Sequence, residues 1–140
     1  MFIGTHRYAI DDKGRLTIPT PMRAALVDGA VMSPMNERLT LWPLASFRAA
    51  VGGVWAGSDA AEIVIDQAKL FNQLAQEVVP DAQGRIVVPT NVRFECGLER
   101  DVIVLGSGPR IEIVPDDQFE NERLQSLDAS VPNLLDRLGL

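Results

Sequence analysis

The stretch DDKGRLTIPTPMR, Asp11 to Arg23, decides how this chain is read, because DAQGRIVVPTNVR, Asp81 to Arg93, repeats it 70 residues later. Six of the thirteen positions are identical: Asp11/Asp81, Gly14/Gly84, Arg15/Arg85, Pro19/Pro89, Thr20/Thr90 and Arg23/Arg93. Leu16/Ile86 and Ile18/Val88 keep apolar character. A second match follows in the same order at an offset of 72: RLTLWPLASF, Arg38 to Phe47, against RIEIVPDDQF, Arg110 to Phe119. Two matches in one order mark an internal duplication. Two copies are too few for a solenoid, so the chain is expected to fold as two pseudo-equivalent halves.

One half can be read physically. RYAI (Arg7 to Ile10) and RLTI (Arg15 to Ile18) alternate as half-buried strands do. DDKG between them is turn chemistry: Asp11 can accept local backbone hydrogen bonds and Gly14 tolerates positive φ. The pattern predicts a hairpin closed by Asp11–Gly14. Leu16 and Ile18 share one face, Arg15 and Thr17 the other. Pro19 ends the strand, and Pro89 does so in the second copy. TPMRAAL then predicts a short helix with Thr20 as N-cap and Pro21 at its first position. Gly29 stops it. AVMS and RLTLW supply a second strand pair, and PLASFRAAV a second short helix. The later half repeats the order with QEVV, RIVV, TNVRFEC, DVIVLG, RIEIV and PDDQFENERLQSL. Neither half carries enough core to stand alone. The halves are therefore expected to interleave into one closed barrel, mainly β with short helices outside.

Four segments follow: a first repeat at 1–54, a helical linker at 55–74, a second repeat at 75–125 and a tail at 126–140. Within GSDAAEIVIDQAKLFNQLA, Ile63, Ala68, Leu70, Phe71 and Leu74 make a rough apolar stripe, with Asp59 as a possible cap.

Composition narrows the function. The 140 residues carry a net charge of −6, with one cysteine and one histidine. Cys96 alone excludes an intrachain disulfide and a cysteine-rich zinc site; it reads as a small buried residue on a helix. His6 alone excludes sites needing several imidazoles. No nucleophile–base spacing or paired carboxylates stand out, so no enzyme activity, cofactor, metal or small-molecule substrate is expected. No run of 18 apolar residues and no signal-peptide pattern is present, which points to a soluble cytoplasmic protein.

With these residues in view, the sequence resembles the MraZ family, transcriptional regulators built from two AbrB-like (SpoVT-AbrB) modules. The resemblance rests on Asp11-x-x-x-Arg15 within DDKGRLTIP, on Asp81-x-x-x-Arg85 within DAQGRIVVP, and on the opening MFIG, and covers about residues 1 to 125. It implies a swapped-hairpin β-barrel. It also implies a ring-like homo-oligomer on double-stranded promoter DNA, at repeated boxes that control division and cell-wall genes, with nucleoid association. The arginines of the two motifs are implied to contact DNA. The alternative is an AbrB-like ring serving as a non-catalytic scaffold.

The candidate DNA contacts are Arg15, Lys13, Arg85 and Arg7, with Asp11, Gly14, Asp81, Gly84, Pro19 and Pro89 as the structural frame. Arg15 and Arg85 have a second reading as partners of Asp11 and Asp81. Both can hold if each aspartate orients an arginine whose remaining donors face the nucleic acid. Arg23 and Arg93 read as bridges from helix to barrel. The copies differ at Lys13/Gln83, Thr17/Val87 and Arg7/Glu77, so unequal DNA contact is expected. Trp42, Trp55, Phe47, Phe71, Phe94 and Phe119 read as core or subunit interface. The acidic middle segment, with Lys69 its only base, is given no DNA role.

Overall fold

The computed structural model describes residues 1–55, 69–70, 72–126 and 130–140. In chain order they form β1 (Thr5–Ala9), β2 (Arg15–Thr17), α1 (Thr20–Arg23) continued by a 3-10 turn (Ala24–Leu26), β3 (Ala30–Met35), β4 (Arg38–Pro43) and α2 (Leu44–Trp55). Then come β5 (Gln76–Val78), β6 (Arg85–Val87), α3 (Thr90–Glu95), β7 (Asp101–Gly106), β8 (Ile111–Pro115), α4 (Asp116–Ser126) and α5 (Ser130–Leu138). The fold is α+β, with antiparallel strands and short helices. Most of the expected 55–74 helix, with Asp59, Ile63, Ala68 and Phe71, lies outside the described residues, as does the side chain of Trp55; residues 69–70 and 72–74 are helical.

Six strands form one antiparallel sheet in the order β1-β7-β8-β4-β3-β5, and β2 pairs with β6 as a separate ribbon. The order is a palindrome once the halves are exchanged. At its centre Thr40 pairs with Glu112, its own counterpart at offset 72, flanked by Leu39 opposite Ile113 and Leu41 opposite Ile111. In the ribbon Leu16 pairs with Ile86, its counterpart at offset 70. A pseudo-two-fold axis therefore passes through both pairs. The hydrogen-bonded ladders do not run on into a single ring among the described residues: a six-stranded sheet faces a two-stranded ribbon.

The turn at Asp11 forms as its chemistry requires, but the strands beside it pair elsewhere. The Gly14 N–H donates to the Asp11 carbonyl at 2.9 Å and the Asp11 N–H to Arg15 O at 3.0 Å. Strand β1, however, pairs with β7, and β2 with β6. A hairpin of strands this short is marginal alone. Exchange puts Leu16 and Ile86 side by side in the core, at 0 % and 1 % exposure. Around them pack Ile18, Met22, Leu26, Met32, Leu39, Leu41, Val88, Val92, Val104, Ile111 and Ile113. The second half thus completes the core of the first.

Each strand end is sealed across the halves: the Ile18 N–H donates to Gly84 O at 2.8 Å, and the Val88 N–H to Gly14 O at 2.8 Å. The prolines that follow act as N-caps. Pro19 and Pro89 hold that place, not Thr20 or Thr90, and no side chain caps either helix. A proline there already has the extended backbone an N-cap needs, which moves each threonine one position into the helix. Thr90 Oγ1 instead accepts from Arg93 Nη2 at 3.0 Å. The opening Phe2 is buried at 5 % exposure, tied to the β7–β8 loop by Phe2 N–H to Gly108 O at 2.6 Å.

The opposite face of the sheet carries α2 against β3 and β4, and α4 against β7 and β8. There Arg38 bridges two strands and a helix. It pairs with Glu112 at 3.3 Å and with Glu122. Burial works against its charge, but the two carboxylates outweigh that and hold its pKa above the ordinary value. Among the aromatics, Trp42 and Phe47 meet with ring centroids 6.2 Å apart. Phe119 is half-buried.

Candidate nucleic-acid interface

The β2–β6 ribbon buries Leu16 and Ile86 and turns the alternate residues outward. Register places Arg15 opposite Val87 and Thr17 opposite Arg85. Alternation then puts all four on one outer face, the arginines on one diagonal and Thr17 with Val87 on the other. The symmetry of the chain has thus brought two arginines, 70 residues apart in sequence, onto one small surface.

Each arginine is set by its own aspartate. Asp11 Oδ1 accepts the backbone N–H of Lys13 at 3.0 Å and of Arg15 at 2.8 Å, while Oδ2 accepts Arg15 Nε at 2.6 Å. Asp81 repeats this with Gln83, Arg85 and Arg85 Nε, each at 2.9 Å. The Arg15 backbone N–H, then its guanidinium and the Lys13 N–H, hold the Asp11 carboxyl below its ordinary pKa against a modest cost of burial. Asp81 is lowered likewise, first by the Arg85 N–H. Both carboxylates are ionised at neutral pH. Because the bond is made through Nε, the Nη groups of Arg15 and Arg85 are left without a protein acceptor among the described residues. Orientation and ligand binding are therefore compatible on the same side chain.

The glycines are backbone necessities. Gly14 and Gly84 have φ of +78° and +77°, in the region that favours glycine, and each faces the other half. Above Gly84 lies the guanidinium of Arg23, whose Nε donates to Ile18 O at 2.8 Å. Above Gly14 lies Arg93, whose Nε donates to Val88 O at 3.1 Å. These two bridge helix to strand as expected. Their crossing onto the partner half's turn is not visible in either motif alone. The shared offset of 70 marks them as a pair, but only exchange of the strands brings Arg93 beside Lys13's turn and Arg23 beside Gln83's.

Lys13 is exposed at the tip of the first turn. Arg7 is elsewhere: it lies on edge strand β1, opposite Ile103, and pairs with Glu120 on α4 at 2.6 Å. Its counterpart Glu77 pairs with Arg48 on α2 at 3.6 Å. Arg48 and Glu120 are themselves equivalent at offset 72, so the same strand-to-helix bridge is built twice with its charges exchanged. Among the described residues no group of three His, Cys, Asp or Glu side chains could hold a metal ion, and no helix is long and apolar enough to cross a membrane.

Two interleaved copies of one strand–turn–strand–helix unit, with an aspartate-oriented arginine on each strand of a shared ribbon, define an AbrB-like protein. Comparison with known proteins narrows this further. The chain belongs to the MraZ family: the family described as "MraZ protein, putative antitoxin-like" matches at residues 1–52 and 71–138. It is 40% identical over 114 residues to the Transcriptional regulator MraZ of Frankia casuarinae and 37% identical to that of Thermobifida fusca. Each alignment covers 81% of this chain and 80% of the relative. The relative from Parafrankia sp. is 39% identical over the same span. The family is one of transcriptional regulators and not of enzymes.

Proposed function

We propose that this protein is a sequence-specific transcriptional regulator that grips duplex DNA with the outer face of the β2–β6 ribbon and acts as a homo-oligomer on repeated promoter boxes of division and cell-wall genes, in the cytoplasm at the nucleoid. The observation that carries the reading is the placing of Arg15 and Arg85 on one outer face, each half-buried and fixed through Nε, with no acceptor for its Nη donors among the described residues. A two-stranded ribbon fits the major groove, where arginine reads guanine O6 and N7. Lys13 at the tip adds a phosphate contact. Arg7 stands on β1 in an exposed pair with Glu120, off the ribbon face, and the proposed contacts are those of the ribbon and its tip.

The acidic net charge is compatible with this role. Screening limits electrostatic reach to about 8 Å at physiological salt. A basic ribbon can therefore act while acidic α4, with Asp116, Asp117, Glu120 and Glu122, sits across the sheet. One ribbon offers few contacts, so useful affinity requires several subunits on several boxes. The homologues' name supports the regulatory role.

Gel retardation of the promoter upstream of its own gene, at two salt concentrations, tests the reading. Arg15→Ala or Arg85→Ala is expected to cost about 1–3 kcal/mol of binding. Affinity is expected to fall steeply with salt and to collapse in a monomeric variant. Unchanged affinity in both arginine variants sinks the proposal. A scaffold role is favoured by one observation: Phe94 and Val27 are 87% and 71% exposed. Phe94 is no part of this chain's core. A scaffold would keep its assembly and show no affinity for the promoter.

A further inference from the structure

One residue on the ribbon face is chemically out of place. Val87 is 55% exposed, while Leu16 and Ile86 beside it are buried. It stands directly opposite Arg15, and two residues from Arg85 on the same face. An apolar side chain beside two cations, whose Nη groups have no acceptor among the described residues, offers neither of them a hydrogen bond. It lies where a ligand recognised by those cations must also touch it.

We propose that Val87 determines specificity by packing its methyl groups on the C5-methyl of a thymine, a reading that rests on the duplex-binding role above. In the major groove the thymine methyl is the distinctive apolar group among the base edges, and apolar side chains read it by contact. Directly opposed side chains on paired strands have Cβ atoms about 5 Å apart, and successive bases rise about 3.4 Å. The thymine therefore lies one to two base steps from the base that Arg15 addresses. The pseudo-symmetric position holds Thr17, which offers a hydroxyl beside its single methyl. The pseudo-two-fold of the ribbon is broken at this pair, so its two halves read different base steps and the box is not a palindrome.

The test uses the full chain and a duplex of the promoter upstream of its own gene, footprinted first. Each protected thymine is then replaced singly by deoxyuridine, which removes only the C5-methyl. At one thymine the wild type is expected to lose affinity about fourfold, as for one buried methyl-sized group. Val87→Ser should bind the parent duplex about fourfold more weakly and be indifferent to that replacement. Val87→Ile, which keeps a branched apolar side chain, should keep the sensitivity. Because the side chain is largely exposed, the variants are expected to melt as the wild type does.

Wild-type binding that is indifferent to every deoxyuridine overturns the assignment, as does an undiminished penalty in Val87→Ser. A change in sedimentation of Val87→Ser with methyl-indifferent wild type would give the patch to contact between copies of this chain instead. Salt-sensitive but methyl-indifferent binding sinks Val87 and leaves the regulatory reading standing; no binding at all sinks both.

Discussion

The guanidinium of Arg23, from the first half, covers Gly84, the turn glycine of the second. A Cβ built at Gly84 would come within 2.6 Å of Arg23 Cζ, closer than real contacts allow. The φ of +77° is itself unfavourable for any residue with a Cβ. Gly84→Ala is expected to cost roughly 2–3 kcal/mol, part from the left-handed backbone and part from the clash. Arg23→Ala in the same chain should recover the second part only. Denaturant titration of the single and double variants measures the coupling; strict additivity would show that the arginine simply swings aside.

The β3–β4 loop has two residues, Asn36 and Glu37, and both have positive φ, 53° and 63°. Such hairpins suit the twist of their strands and favour glycine at the second place. Glu37→Gly relieves that strain and should raise stability by about 0.5–1 kcal/mol. A lower melting temperature would contradict this.

The exchanged bridges, Arg7–Glu120 and Glu77–Arg48, join each edge strand to a helix of the other half. Were β1 to associate with its own half's α2, Arg7 would meet Arg48; β5 with α4 would set Glu77 against Glu120. The charges therefore favour the interleaved pairing over the alternative. Arg7→Glu should cost about 0.2–1 kcal/mol, since these pairs are exposed. Adding Glu120→Arg should restore it at low salt. Equal stability of the single and double variants would deny the pairing any role.

Asp11 and Asp81 have folded pKa values below their unfolded ones. Their contribution to stability is thus fully present above the unfolded value of about 3.9 and lost as pH falls through the lower folded value. Stability attributable to the two turns should be flat from pH 5 to 8 and decline below pH 4. Asp11→Asn/Asp81→Asn should flatten the acid limb of a melting-temperature profile. An undiminished acid limb would place the titrating groups elsewhere.

Cys96 is 3% exposed at the end of α3, and burial, with Glu95 adding to it, pushes its pKa to about 11. The thiol should resist alkylation at pH 7–8 in the folded protein and react promptly in denaturant. Rapid labelling of the native chain would contradict the burial.

Much of this protein is legible before any tertiary contact is considered. The duplication, the two Asp-x-x-Gly-Arg turns, the outward alternation of Arg15 and Arg85, the terminating prolines and the buried Cys96 follow from local rules. Turn chemistry acts between residues a few positions apart, and side-chain alternation is a property of one strand. N-cap placement slipped by one residue because proline and threonine both suit helix starts, and the choice depends on backbone angles.

Which strand pairs with which is not local. Strands of three to five residues bind several partners almost equally well, and the choice falls to the arrangement that buries Leu16 against Ile86 and seats the halves on a common core. By itself the sequence determined two equivalent units and their outward-facing arginines. Tertiary structure alone decided which strands are exchanged, that Arg15 and Arg85 share one ribbon, and that Arg23 and Arg93 cross to the opposite turns. Burial is won by the assembled whole, so no single segment carries the signal for it.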